Sequence, residues 1–182
     1  MAPKIPLPAD ADLPDDIRDT LAAAPPLNVF RMVANAPSSF QPFMAFAASI
    51  VLQSDFDARK REIAVLRVAH VTRSRYEWTQ HVTLAKLFGI TDEEIAKIAV
   101  DGPVTGLEEE GNLLCHVADE ISRDVRLSDD ALTQVLERYG VRHATELILC
   151  CSYFNMLSRF LESTRVELEP VNVLAAGLPR PS

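Results

Sequence analysis

At 182 residues, 48% hydrophobic and 24% charged, the chain is sized and composed for one globular domain with a substantial core, which excludes wholesale disorder and a second full domain. Eighteen Lys and Arg against 26 Asp and Glu give a net charge of -8, and no basic run interrupts that acidity, which excludes a nucleic-acid backbone as the main partner. A few local arginines can still draw in a small organic anion.

The first residues, MAPKIPLPADADLP, lack the apolar core of a secretory signal, and no run approaches the ~18 apolar residues of a membrane span. A cytoplasmic protein without a membrane partner is expected. Prolines gather in the first 42 residues and again from Pro170 onward, so a single domain over 1–182 is expected, with an extended arm at 1–13 and a tail at 170–182. Cys115, Cys150 and Cys151 are odd in number and lack C-x-x-C spacing, which argues for reduced, buried thiols and against a disulfide framework or a zinc site.

Taken in order, LPDDIRDTLAAA, NVFRMVANA and SSFQPFMAFAASIVLQ supply three helices. DARKREIAVLRVAHVTR follows, with Asp57 as N-cap and apolar residues recurring at Ile63, Leu66, Val68 and Val71; its length favours a helix over a strand. YEWTQHVTLAKLFG stops at Gly89, and TDEEIAKIAV starts with a capping box formed by Thr91 and Glu94. GLEEEGNLLCHVADEISRD carries its acids early, where the helix dipole favours them. SDDALTQVLERYG is capped by Ser128 and stopped by Gly140, and RHATELILCCSYFNMLSRFLEST, long and largely apolar, is expected to be the central buried helix. Hairpin signals between alternating runs are missing. The fold class is all-α, with about eight or nine helices.

One stretch, RSRYEWTQHVTLAKLFGIT, places Tyr76, Glu77, Trp78 and His81 within six positions. Glu77 and His81, at i and i+4, share a helix face. A carboxylate beside an imidazole raises its pKa and orients the ring for acid–base work, while a surface pair of the same spacing contributes only a few tenths of a kcal/mol. Glu62, among Arg59, Lys60 and Arg61, reads on periodicity as part of a solvated first turn. A helical hairpin across RSR would nevertheless bring it level with His81.

The pattern R-E-x-x-x-L-R-V-A followed by Y-E-W-x-x-H-x-x-x-A-x-x-x-G-x-x-x-x-E-I resembles the carboxymuconolactone decarboxylase family, which includes the alkylhydroperoxidase D-like proteins, and the likeness runs through nearly the whole chain. In the family's peroxidase branch a glutamate precedes C-x-x-C-x-x-x-H. Carried over, the glutamate falls on Glu62 and the histidine on His81, while the two cysteines fall on Ser74 and Glu77. Thiol–disulfide exchange requires both thiols, so an antioxidant peroxidase role is disfavoured.

What the resemblance then implies is a cofactor-independent, decarboxylase-like enzyme acting on a small organic acid or lactone, assembled through helices as a homo-oligomer, trimer or hexamer, and placed in aromatic catabolism. His81 is the candidate acid, Glu77 its orienting group and Glu62 a proton relay. Tyr76, Trp78 and Arg73 are the candidate substrate-binding residues, with Arg67 as an alternative for a carboxylate. A non-catalytic oligomeric binding protein of the same fold is the rival from another class. Glu146 and Asn155 are expected to hold helices in register, His70 to be a satisfied core histidine, and His116 and His143 to carry no signal. No His, Asp or Glu set shows metal spacing, and no glycine-rich loop could cradle a phosphate.

Overall fold

The computed structural model, which describes residues 4–170 and 174, is all-α, with no strand among the described residues. Its helices are α1 (Asp15–Ala23), α2 (Asn28–Val33), α3 (Pro37–Val51), α4 (Ala58–Thr72), α5 (Arg75–Leu87), α6 (Asp92–Ile98), α7 (Glu109–Arg123) and α8 (Asp129–Thr164). The N-terminal arm is not extended throughout, because Asp10–Asp12 close a 3-10 turn ahead of α1. Most of the expected tail, residues 171–173 and 175–182, lies outside the described residues.

The start and stop signals act where the sequence places them. Asp57 accepts from the Lys60 amide at 2.9 Å, Thr91 and Glu94 close a reciprocal capping box, and Ser128 accepts from the Ala131 amide at 3.2 Å. Gly140 interrupts α8 at φ 69° and ψ 172°, a conformation open to glycine almost alone. The element is therefore two helical stretches, which reconciles eight helices with the nine that the sequence spells out.

The central buried helix is α4, not α8. Nine consecutive residues of α4, Arg61 through Ala69, are buried, and the helix packs against α5, α7 and α8. α8 keeps an exposed apolar side at Val141, Leu149 and Met156. Charge hid the burial of α4, since Arg61, Glu62 and Arg67 look like solvated positions until their partners are seen. The Arg67 guanidinium is fully enclosed, and its donors reach Asp119 (2.8 and 2.9 Å) and the carbonyls of Ile98 (2.8 Å), Val100 (2.7 Å) and Gly102 (2.7 Å). That pattern uses all five of its N–H groups. Arg67 thus ties α4 to α7 and to the loop after α6, and has no donor left for a substrate.

A smaller apolar cluster of Leu13, Ile17, Val33, Ala34 and Phe40 seats α1 and the arm on α3. Among the described residues, no helix is long and apolar enough to cross a membrane.

Candidate active site

α4 ends at Arg73, which adopts the left-handed conformation (φ 57°), and Ser74 already serves as the N-cap of α5. The reversal is tight enough to lay α5 back along α4. Glu62, near the start of one helix, therefore comes level with His81, near the middle of the next. Glu62, Glu77 and His81 are 0%, 3% and 7% exposed. The reading of Glu62 as part of a solvated turn is thus corrected.

His81 lies between the two carboxylates. Its Nδ1 is 2.7 Å from Glu62 Oε2 and its Nε2 is 3.3 Å from Glu77 Oε2. Burial opposes charge on the ring. The attraction and hydrogen bond of Glu62, followed by those of Glu77, outweigh that opposition, and the pKa is pushed up to about 9. At neutral pH both ring nitrogens then carry protons and donate, one to each carboxylate. The edge-on ring of Phe154, 4.8 Å away between centroids, closes the imidazole from the α8 side. Arg61, also buried, donates from Nε to Glu62 Oε1 at 3.4 Å and lies over the Phe88 ring. Two cations facing two carboxylates leave the buried group near neutrality, which is how four ionisable side chains are tolerated there.

The other sequence candidates stand apart from this group. The Tyr76 hydroxyl donates to Glu169 at 2.5 Å and accepts from the Val29 amide at 3.2 Å, so it fastens the segment after α8 to the start of α2. Gln80 donates to the same Glu169 carboxylate, as does the Asn28 amide at 2.5 Å. Trp78 is half-buried, its ring 6.0 Å from that of His70. Arg73 is exposed at the helix reversal. His70 is only half-buried rather than a core residue; burial, followed by the charge of Arg67, lowers its pKa. Asn155 does hold register, donating to Ser122 Oγ of α7 at 2.9 Å and to the Cys151 carbonyl at 3.0 Å.

The structure also brings together residues that sequence spacing did not connect. Asp55, His143 and Glu146 each place a ligand atom within 4.8 Å of the others, and Arg142 lies 3.0 Å from Asp55 and 3.6 Å from Glu146. His143 and Glu146 share a helix turn, but Asp55 comes from the α3–α4 loop, and nothing in the sequence pairs it with them. Glu169 was equally invisible, because its role depends on three distant donors.

Two clefts open near the bundle. One of about 580 Å³ lies between α7 and the first half of α8, against Val104, His116, Asp119 and Glu137. The other, of about 490 Å³, lies between the start of α5 and the end of α8, against Arg75, Tyr76, Leu161, Glu162, Arg165 and Val166. Neither is lined by Glu62, Glu77 or His81.

Residues 37–113, which hold α3 through the start of α7 and thus the whole α4–α5 hairpin, match the carboxymuconolactone decarboxylase family. That match covers less than half of the chain and marks a likeness to the carboxymuconolactone decarboxylase family. Two solved structures share the fold. One is described as an alkylhydroperoxidase AhpD core, an uncharacterized peroxidase-related protein from Ralstonia eutropha JMP134, with a TM-score of 0.79 and 17% identity over 92% of each chain. The other is an uncharacterized peroxidase-related protein from Silicibacter sp. TM1040, with a TM-score of 0.77 and 18% identity over 92% of each chain. Among curated proteins none matches. At these identities the likeness speaks for the fold alone. In this chain, the positions where the resemblance places thiols hold Ser74, which is buried, and Glu77, which is bonded to the histidine.

Proposed function

We propose that the chain is a decarboxylase-like enzyme that uses cofactor-independent acid–base chemistry on a small organic acid or lactone, with His81 as the acid. The observation that carries the reading is the imidazole held between two buried carboxylates, with its pKa raised to about 9. A ring protonated at neutral pH is a proton donor ready for a carbanion. In the proposed step, the bond from the reacting carbon to the substrate carboxyl breaks, and carbon dioxide leaves without the bonding pair. That pair remains as an enolate, and the His81 proton goes to the carbon. Glu77 orients the ring, and Glu62, through Nδ1, stabilises the imidazolium before transfer and helps return a proton afterwards.

Thiol chemistry has little support. Burial pushes Cys115 up to about 12, Cys151 up to about 12 and Cys150 well above the ordinary thiol range, so all three resist forming the thiolate that peroxide reduction requires. Self-association through helices belongs to the same proposal, and the exposed Val141, Leu149 and Met156 on one side of α8 favour it.

The test is turnover of a panel of lactones and small unsaturated acids by the parent protein and by His81→Ala. Turnover by the parent that vanishes in the variant, with fold and assembly intact, supports the reading. Equal turnover by the two removes His81 from the chemistry, and peroxide consumption with a dithiol reductant would favour the antioxidant alternative.

A further inference from the structure

A reaction that leaves an enolate needs a cation for the oxygen on which the charge collects, and neither arginine nominated by the sequence is placed to serve. Arg73 is exposed at the helix reversal, and Arg67 has all five N–H groups engaged. Arg61 differs from both. It is 5% exposed, yet its one hydrogen bond runs from Nε to Glu62 Oε1 at 3.4 Å, longer than the ordinary range. Among the described residues neither terminal nitrogen has a hydrogen-bond partner, so four N–H groups of a buried guanidinium are unused. Neither nitrogen is sealed off; 7% of the side chain remains open to solvent.

The guanidinium and the imidazole flank a single carboxylate. Glu62 turns Oε1 to Arg61 and Oε2 to His81 Nδ1. The Arg61 charge also lies 5.9 Å from the centroid of the half-buried Phe88 ring, so it stands at the edge of the interior and not at its centre. Cys150 of α8 feels the charges of both Arg61 and Glu62, and burial holds its thiol neutral. The other charged groups around this position are engaged with each other, since His81 lies between Glu62 and Glu77. With two cations and two carboxylates, the group presents no net repulsion to an anion. Unused donors on a buried guanidinium are costly, and an anionic oxygen is the group that completes them.

We propose that the terminal nitrogens of Arg61 bind an anionic oxygen on a planar carbon of the substrate, the enolate oxygen of the proposed reaction, beside His81. The inference rests on the acid–base reading for the enolate and on the unused donors for its place. As carbon dioxide leaves, the bonding pair moves onto the oxygen of the conjugated carbonyl, and the guanidinium meets that charge as it forms. His81 then protonates the carbon. A cation that meets charge only as it develops lowers the barrier instead of tightening the ground state.

Crotonate, a planar conjugated anion, tests this against crotonamide, its uncharged match. Calorimetric titrations at pH 7 compare the parent, Arg61→Gln and Arg61→Lys, with thermal melting of each. The expected result is that the parent prefers crotonate to crotonamide and that Arg61→Gln loses about tenfold or more in crotonate affinity alone, the usual cost of hydrogen bonds to a charged group. Arg61→Lys keeps a charge beside Glu62 and gives up the planar fork, so it binds crotonate less tightly than the parent and more tightly than Arg61→Gln. A purely structural role as the counter-ion of Glu62 would move melting and leave the preference for crotonate unchanged, which overturns the proposal. So does a parent that binds no crotonate. Should Arg61→Gln fail to fold, Arg61→Lys decides alone, and crotonate affinity equal to the parent's overturns the proposal. Arg61-dependent crotonate binding without turnover on the lactone panel would leave the receptor standing and remove only the acid–base reading.

Discussion

Glu62 and His81 are 19 residues apart and meet at 2.7 Å in the interior of the α4–α5 hairpin, Glu62 Oε2 accepting from His81 Nδ1. Replacing that carboxylate by its uncharged isostere keeps the shape and removes the strongest influence that raises the ring's pKa. Glu62→Gln is therefore expected to lower turnover at least tenfold at pH 8 and to shift the alkaline limb of the pH–rate profile to lower pH, since the acid form is lost sooner. An unshifted limb would show that Glu62 does not tune the ring.

The same ring makes stability depend on pH. Its pKa is about 9 in the folded chain against 6.5 as the ordinary value, so the folded state holds the proton more tightly. The contribution is full below pH 6.5 and is lost as the pH rises through 9. Denaturant midpoints should fall between pH 6.5 and 8, a window below the onset of ionisation of unfolded thiols at about pH 8.5. His81→Ala should flatten that slope. An equal slope in parent and variant would assign it to other groups.

Arg67 carries no chemistry in this account, and its removal should act on stability. Its loss takes the donor from three carbonyls and leaves Asp119 only Arg123, 3.6 Å away, so Arg67→Met is expected to cost about 3–5 kcal/mol in a urea titration. A cost under about 1 kcal/mol would mean that water replaces the guanidinium freely.

Gly140 isolates a backbone effect. A Cβ built there meets no atom within 4 Å, so Gly140→Ala carries no steric clash and only the cost of φ 69°, ψ 172°. That cost is about 1–3 kcal/mol. Unchanged stability would show that α8 can run through the break as a continuous helix.

How much of this was legible in the sequence depends on the kind of signal. Caps are local, which is why Asp57, Thr91 with Glu94, Ser128 and the stop at Gly140 could be read directly. Glu77 and His81 were legible as a pair because one helical turn joins them. Glu62 was legible as a partner through the hairpin geometry and the resemblance, not through its own neighbours, which are three cations. The burial of α4 was hidden for the same reason, and the apolar composition of α8 drew the expectation there instead. Tyr76 shows what a local pattern leaves out. Its place beside Glu77 suggested a pocket wall, and it does line the 490 Å³ cleft, but the hydroxyl's partners are Glu169 and the Val29 amide, contacts at separations of 93 and 47 residues that no local pattern encodes.

The central claim is that His81 is a buried acid, doubly protonated at neutral pH between two carboxylates. A nitrogen-15 NMR titration of the histidine ring nitrogens tests it most directly and needs no substrate. The account predicts that the His81 ring carries protons on both nitrogens at pH 7 and titrates near pH 9, in agreement with its environment. A His81 ring that is already neutral at pH 7, or that titrates near the ordinary value of 6.5, would contradict it.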